Sequence, residues 1–368
     1  MKKNLASLIF VLLAFATQTF CNTVDLKADF VVGNPEITSI NAMTFGPQGI
    51  LFIGDSKSAK IIAVDLSGHA ATDNSKVGIK NLDGQIAEML GSDADQVQVT
   101  DMAVNPENKN IYISVHHSSG KALLLQVVDN ALKQIPLDKI SHSKTAVVAV
   151  VAEDAKDRRG RSLRKWAISD IQYANQKVML SGLSNQEFAS TFRAIDFPFN
   201  DKQMHSSLEI YHAAHGKYET HAPIKTFTTT QVNGKPHVIA SYTCTPLVLF
   251  PMEQLTPGEH SKGKTIAELG NWNTPLGIIE MEKKGNRYIL IANSSRALMK
   301  IKVSDIEKFG NSLDTRVEER SGTAGVDFIN LPFVNVQHLD KLSDTQFLMI
   351  QRDSQGDLVL KTGSDRWL

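Results

Sequence analysis

Ile40-Asn41-Ala42-Met43-Thr44-Phe45-Gly46-Pro47-Gln48-Gly49-Ile50-Leu51-Phe52-Ile53-Gly54-Asp55-Ser56-Lys57-Ser58-Ala59-Lys60-Ile61-Ile62-Ala63-Val64-Asp65-Leu66 reads as three short apolar strands joined by two tight turns. Gly46-Pro47-Gln48-Gly49 supplies the first turn and Gly54-Asp55-Ser56-Lys57 the second, because these residue types accept the dihedrals that sharp reversals need. The pattern returns five times. The second module is read at 99–114, 115–120 and 122–128, and the third at 168–173, 177–181 and 191–197. The fourth falls at 225–232, 237–241 and 247–250, the fifth at 275–280, 288–292 and 298–303, and the sixth at 333–338, 346–350 and 358–361.

Module starts lie roughly 50 to 70 residues apart, the spacing of propeller blades with loops of unequal length. A small twisted sheet cannot bury both faces alone, and stacking six of them radially does so while leaving few edges. The expected fold is therefore all-β, a six-bladed β-propeller over residues 22–368. Module six ends after three strands, and the orphan strand 27–32 is expected to supply its outer strand and close the ring. The stretch 77–82 is expected to complete module one. A seventh blade within 130–167 is the alternative.

The chain has 368 residues, with 39 Lys and Arg against 39 Asp and Glu. Zero net charge argues against nucleic acid, whose binding needs a basic surface. Lys2 and Lys3 precede an apolar run at 5–15 and then small and polar residues, the pattern of a secretory signal peptide over 1–21 with cleavage between 16 and 21. Phe20 precedes Cys21 where a lipoprotein needs a small residue. No other stretch approaches the ~18 apolar residues of a membrane span, so the expected location is periplasmic or secreted. The two cysteines, Cys21 and Cys244, can pair only if Cys21 survives cleavage; otherwise Cys244 is a lone thiol, or simply a small buried hydrophobe.

The stretch Phe45 to Ser56 resembles the NHL-type repeat, in which an Asp-Pro-Asp-Gly-like turn leads into a strand and then an Ala-Asp-like turn. Asn293-Ser294-Ser295-Arg296-Ala297-Leu298 is similar to the second of these turns. The chain as a whole resembles six-bladed propellers such as NHL proteins, gluconolactonase-like hydrolases and strictosidine-synthase-like proteins. The resemblance implies the fold and transfers no catalytic residue.

In such a ring the innermost strands line a channel, and the turns between second and third strands gather at its mouth, where ligand sites form on a rigid frame. That places Asp101, Asp170, Asn335, Arg296, Arg352 and Trp166 as ligand-binding candidates. Asp101 and Asp170 hold matching positions in their modules. With Asn335 they could hold a channel calcium, as the gluconolactonase-like resemblance implies, or each could accept backbone amides of the next blade. Trp166 closes the charged run 153–166, which could meet an anionic partner or lie solvated.

His116 and His117 are acid–base candidates, since histidine titrates near neutral pH. His212, His215, Glu219 and His221, with Cys244, are candidate ligands for zinc or copper. Their spacing matches no standard metal motif, and an outer strand with an ordered loop is the other reading. No nucleophile elbow, phosphate loop or dinucleotide fingerprint is present. The leading expectation is a binding or scaffold propeller recognising a protein, peptide, glycan or small molecule at its mouth. A metal-dependent lactonase-like hydrolase and a copper- or zinc-handling redox protein are the alternatives.

Overall fold

The computed structural model describes residues 25–368 apart from Asp201 and Met204, so the expected signal peptide and Cys21 lie outside the described residues. Within them the chain is strand and loop, with two short α-helices, Leu82–Leu90 and Val303–Lys308. No helix there is long and apolar enough to cross a membrane.

Module one folds as its sequence dictates. Ala42–Phe45, Ile50–Asp55 and Lys60–Asp65 pair antiparallel in order. Gly49 turns the chain at φ 66°, and a side chain there would meet the Ser67 Cα at 2.8 Å. Asp55 is wholly buried and pins the second turn: it accepts from the Thr38 amide at 2.7 Å, the Ser39 hydroxyl at 2.6 Å and the Ser58 amide at 3.0 Å. Burial pushes its carboxyl up, but these donors outweigh that and hold it below the usual carboxylate range.

The first strands of the six modules stand innermost: Ala42–Phe45, Val97–Val104, Asp170–Ala174, Ile224–Val232, Pro275–Lys283 and Val336–Lys341. They neighbour one another in a closed circle, so the fold is a six-bladed β-propeller. The order around the circle is two, one, three, four, five, six. Each of the six interfaces carries its own apolar cluster, which is the main adhesion between blades. Between blades one and three, for example, Phe52 stacks on Tyr173 at 5.3 Å and meets Phe197 edge-on at 4.7 Å.

Closure differs from the sequence expectation. The N-terminal strand is Val31–Gly33, and it pairs with Ile140–Ala146 rather than with module six. Ile140–Ala146 pairs in turn with Lys60–Asp65, so the fourth strand of blade one arrives from beyond blade two. The outer strand of blade six is Gly78–Ile79, paired with Leu358–Ser364. The stretch expected to complete blade one therefore completes blade six instead, and the chain continues as helix Leu82–Leu90. Asn81 caps that helix by accepting from the Gly84 amide, and Leu82 and Ile86 sink into the cluster between blades two and six.

The exchange has a simple logic. Gly78–Ile79 of blade six leads into the first strand of adjacent blade two, and Ile140–Ala146 of blade one leads toward that of adjacent blade three. Each step thus crosses only one blade boundary, as short connections require. The segment 130–167 supplies Ala131–Ile135 to blade two and Ile140–Ala146 to blade one, so it forms no seventh blade.

Candidate functional site

The six inner strands enclose a channel cavity of about 890 Å³. Alternate residues of each strand face it, so Asp170 and Gln172, and Thr226 and Thr228, project from neighbouring strands into the same space. Five carboxylates stand on its wall, Asp101, Asp170, Glu280, Asp340 and Asp344, and three of them tie blades together. Asp101 Oδ2 accepts the Met43 amide at 2.6 Å, Asp170 Oδ2 the Phe227 amide at 2.8 Å, and Asp340 Oδ2 the Val104 amide at 2.7 Å. In each case the other oxygen accepts the amide of the following residue, at 2.8, 2.8 and 2.7 Å.

These aspartates are therefore ties between blades two and one, three and four, and six and two. Burial, with the nearby charge of Asp101 adding to it, pushes both Asp170 and Asp340 up to about 7 against the pull of their amide donors. His338 Nδ1 stands 3.8 Å from Asp101 Oδ1. Sequence reasoning missed Asp340 because it placed the start of the sixth inner strand at 333, whereas the strand runs Val336–Lys341.

Other groups on the wall are untied. Among the described residues no hydrogen bond engages the side chains of Thr44, Gln98, Gln172 or Thr228, which line the cavity from blades one to four. At the mouth Trp166, in the short turn Arg164–Trp166, also lines the cavity, with the ammonium groups of Lys165 and Lys225 at 5.3 and 5.9 Å from its ring. Carboxylates and lysines are interspersed along the wall, so neither sign of charge dominates.

The remaining candidates lie elsewhere. Asn335 is exposed, holds φ 54° and does not line the cavity; its carbonyl accepts the Arg352 amide at 3.1 Å. Arg296 donates to the Ser321 carbonyl at 2.8 Å, and Arg352 reaches Asp83 at 3.4 Å. His116 Nε2 accepts the Ile40 amide at 2.8 Å, and burial lowers its pKa, so it serves as a neutral tie between blades two and one. His117 Nδ1 bonds the Ser119 hydroxyl at 2.8 Å on the surface. Neither histidine lines the cavity.

The second cluster sits on the rim. Strand Ser206–His212 turns back into Lys217–Glu219, with Gly216 at φ 66° pressed against Arg316, where a Cβ would stand 2.8 Å from the Arg316 Cδ. The hairpin brings donor atoms of His212, His215 and Glu219 within 4.8 Å of one another. Glu219 accepts from His212 Nδ1 at 2.9 Å and His215 Nδ1 at 2.7 Å. Burial would push its carboxyl up, but the two histidines outweigh this and hold it at about 2.

His221 stands apart, bonded to the Thr220 hydroxyl at 2.9 Å. Cys244 is a half-buried free thiol at φ 66° outside the three-residue cluster. Burial raises its pKa, and the charges of Glu268 and Glu219 add to that. Glu268, wholly buried and absent from the sequence-derived candidates, faces His212 Nε2 with Oε2 at 3.9 Å. Its position at the end of strand Lys264–Glu268 carries no sequence signal, because only the fold sets that strand beside the hairpin.

No family model and no curated protein matches the chain. Among solved structures the chain is similar to the GH43 endo-arabinanase of Bacillus licheniformis, with TM-score 0.37 and 11% identity over 72% of this chain and 92% of that one. It is similar to the arabinanase Arb43A of Bacillus subtilis, with TM-score 0.36 and 12% identity over 73% and 94%. Raptor of Chaetomium thermophilum gives TM-score 0.33 and 11% identity, with 91% of this chain covering 26% of that one. The chain thus spans about a quarter of the Raptor chain. Likenesses at these scores speak to neither site nor activity, and the blade count rests on the sheet order and ring contacts above.

Proposed function

We propose that this chain is an exported binding propeller whose channel takes a neutral, polyhydroxylated small molecule of sugar size. The observation that carries the reading is the set of untied amides and hydroxyls, Thr44, Gln98, Gln172 and Thr228, around a cavity of about 890 Å³. That volume lies within the range of small-molecule sites. Glutamine and threonine side chains both donate and accept, matching the hydroxyls of a polyol, and Trp166 at the mouth offers a flat apolar face to a sugar ring. The mixed signs on the wall favour a ligand with no net charge. Export rests on the Lys2-Lys3-led apolar run.

The test is a Trp fluorescence titration against a panel of mono- to trisaccharides and polyols. At least one ligand class binds, and Gln172→Ala and Thr228→Ala together weaken it by about tenfold or more, equivalent to roughly 1.4 kcal/mol. Absence of binding across the panel, or binding indifferent to both substitutions, overturns the reading.

One observation favours a second reading. Carboxyls at about 7 on Asp170 and Asp340 suit acid–base chemistry at neutral pH, and a lactonase-like hydrolase would use them. The calcium-dependent form is less well supported, because Asn335 does not line the cavity and Asp101 and Asp170 already accept two backbone amides each. Hydrolysis of a lactone panel that is lost in Asp170→Asn would favour the hydrolase over the binding protein.

A further inference from the structure

We propose that His212, His215 and Glu219 hold a divalent transition-metal ion of the zinc class on the rim, with Glu268 as the outer partner of His212. None of the four residues lines the channel cavity, so the site stands apart from the ligand site proposed above. The donor set is two imidazoles and one carboxylate, the three-protein-ligand set that leaves a fourth position open. His215 is 43% exposed in its side chain and so opens the site to solvent, through which an ion can enter and a water can complete the coordination.

His212 carries the argument. It is 1% exposed, its Nδ1–H donates to Glu219, and its Nε2 is buried with no hydrogen-bond partner. The nearest carboxylate oxygen, Glu268 Oε2, is 3.9 Å away and already accepts the Ala214 amide at 3.1 Å. In this tautomer the Nε2 lone pair is left without a donor in a dry place, with the Glu268 carboxyl too far for a hydrogen bond, which is unfavourable. The opposite tautomer would turn a second lone pair onto Glu219 at 2.9 Å.

A metal ion on the Nδ1 side resolves both conflicts. Nδ1 then gives its lone pair to the ion, and the proton resides on Nε2, facing Glu268. A metal-ligating histidine backed by a carboxylate on its other nitrogen is the usual outer-shell arrangement. The ion would also neutralise the charge of Glu219 beside the buried His212. The only lysine ion-paired to Glu219 among the described residues is Lys217, at 3.6 Å and 66% exposed in its side chain. Donor separations of 2.7 and 2.9 Å are close to the roughly 3.3 Å that a tetrahedral ion imposes, given metal–ligand bonds of about 2.0–2.2 Å. The whole donor set lies within 4.8 Å, so an adjustment of the exposed His215 and the hairpin brings the three donors around one ion.

The experiment uses the full mature chain without a histidine tag, stripped with chelator and titrated with Zn²⁺ alone by calorimetry. One ion per chain is expected. Affinity falls by about 100-fold or more in His215→Ala and Glu219→Gln, by about 10- to 100-fold in Glu268→Gln, and stays unchanged in His221→Ala. His212→Ala empties a buried position and endangers folding, so the exposed His215 and partly exposed Glu219 carry the test. Nitrogen NMR of His212 adds a second readout, with the proton moving from Nδ1 to Nε2 on addition of zinc. No uptake of zinc at about millimolar concentration, or undiminished affinity in the His215→Ala/Glu219→Gln double variant, overturns the proposal. So does a His212 protonated on both nitrogens in a chain that takes up no zinc.

Discussion

The channel and the rim hairpin are built from similar residue types and treat them in opposite ways. In the channel the three aspartates are tied: Asp101, Asp170 and Asp340 each accept two amides and hold one blade to the next. On the rim, His212 is as buried as any core side chain yet keeps one ring nitrogen without a partner. Convergence of acidic residues on a propeller axis is therefore weak evidence of a reaction centre. Vacant hydrogen-bonding capacity is the better pointer. In the channel that capacity belongs to Thr and Gln side chains and to the buried Glu280 Oε2, and on the rim to a histidine edge.

The largest effect tests the frame that separates the two regions. Phe52→Ala should cost about 3–5 kcal/mol in denaturant unfolding. Combined with Phe197→Ala in a double-mutant cycle it should show about 1 kcal/mol of coupling, because the rings meet edge-on across the interface of blades one and three. Strict additivity would contradict the contact of blades one and three.

Next comes the tie itself. Asp340→Ala leaves the Val104 amide buried without an acceptor and should cost about 2–3 kcal/mol. Asp340→Asn keeps an acceptor oxygen and should cost less than half of that. Equal losses in the two variants would show that the carboxylate does something other than accept an amide.

Asp170 reports the burial of these wall carboxyls through pH. Its native carboxyl is raised to about 7, so between pH ~4 and 7 the folded chain holds a proton that the unfolded chain has released. Stability from this group is therefore greatest at acid pH and declines as pH rises toward 7. Asp170→Asn should flatten that decline by about 1–2 kcal/mol. This is well below the dry-interior limit of ~4 kcal/mol for a three-unit shift, because channel water reaches the carboxylate. Parallel pH–stability curves for the two proteins would contradict the burial-raised carboxyl.

The smallest expected effect belongs to His116. His116→Ala should cost about 1 kcal/mol at pH 8 through the orphaned Ile40 amide. Its native pKa is lowered, so its contribution is present above the ordinary histidine range and fades as pH falls through it. The cost of the substitution should shrink accordingly in acid.

Much of the frame was legible because turn chemistry is local. Gly46-Pro47-Gln48-Gly49 and the apolar runs beside it define strands without any knowledge of the partner blade. The closure was not legible. Gly78–Ile79 is a two-residue strand whose assignment to blade six depends on a connection across the outside of the ring, and nothing within 77–82 names the distant Leu358–Ser364. The helix that follows was hidden because Leu82 and Ile86 read equally well as strand residues in so short a window.

The sites show the same division. The sequence suffices to single out 212–221, since four ionisable ligands lie within ten residues, and the Gly216 turn folds three of them together. It could not exclude His221 or supply Glu268, because the first depends on which way a loop residue faces and the second on a strand fifty residues away. In the channel the sequence drew attention to Asp101 and Asp170 by their charge and passed over Gln172 and Thr228. Those two look like ordinary strand residues until the alternation places them on the axis.

The most direct test of the account is a titration of Thr228→Trp, which fills the channel from blade four without touching the rim. This variant should fold, lose polyol binding by about 100-fold or more and keep zinc affinity unchanged. Retention of polyol binding in a folded Thr228→Trp protein would contradict the claim that the channel is the ligand site.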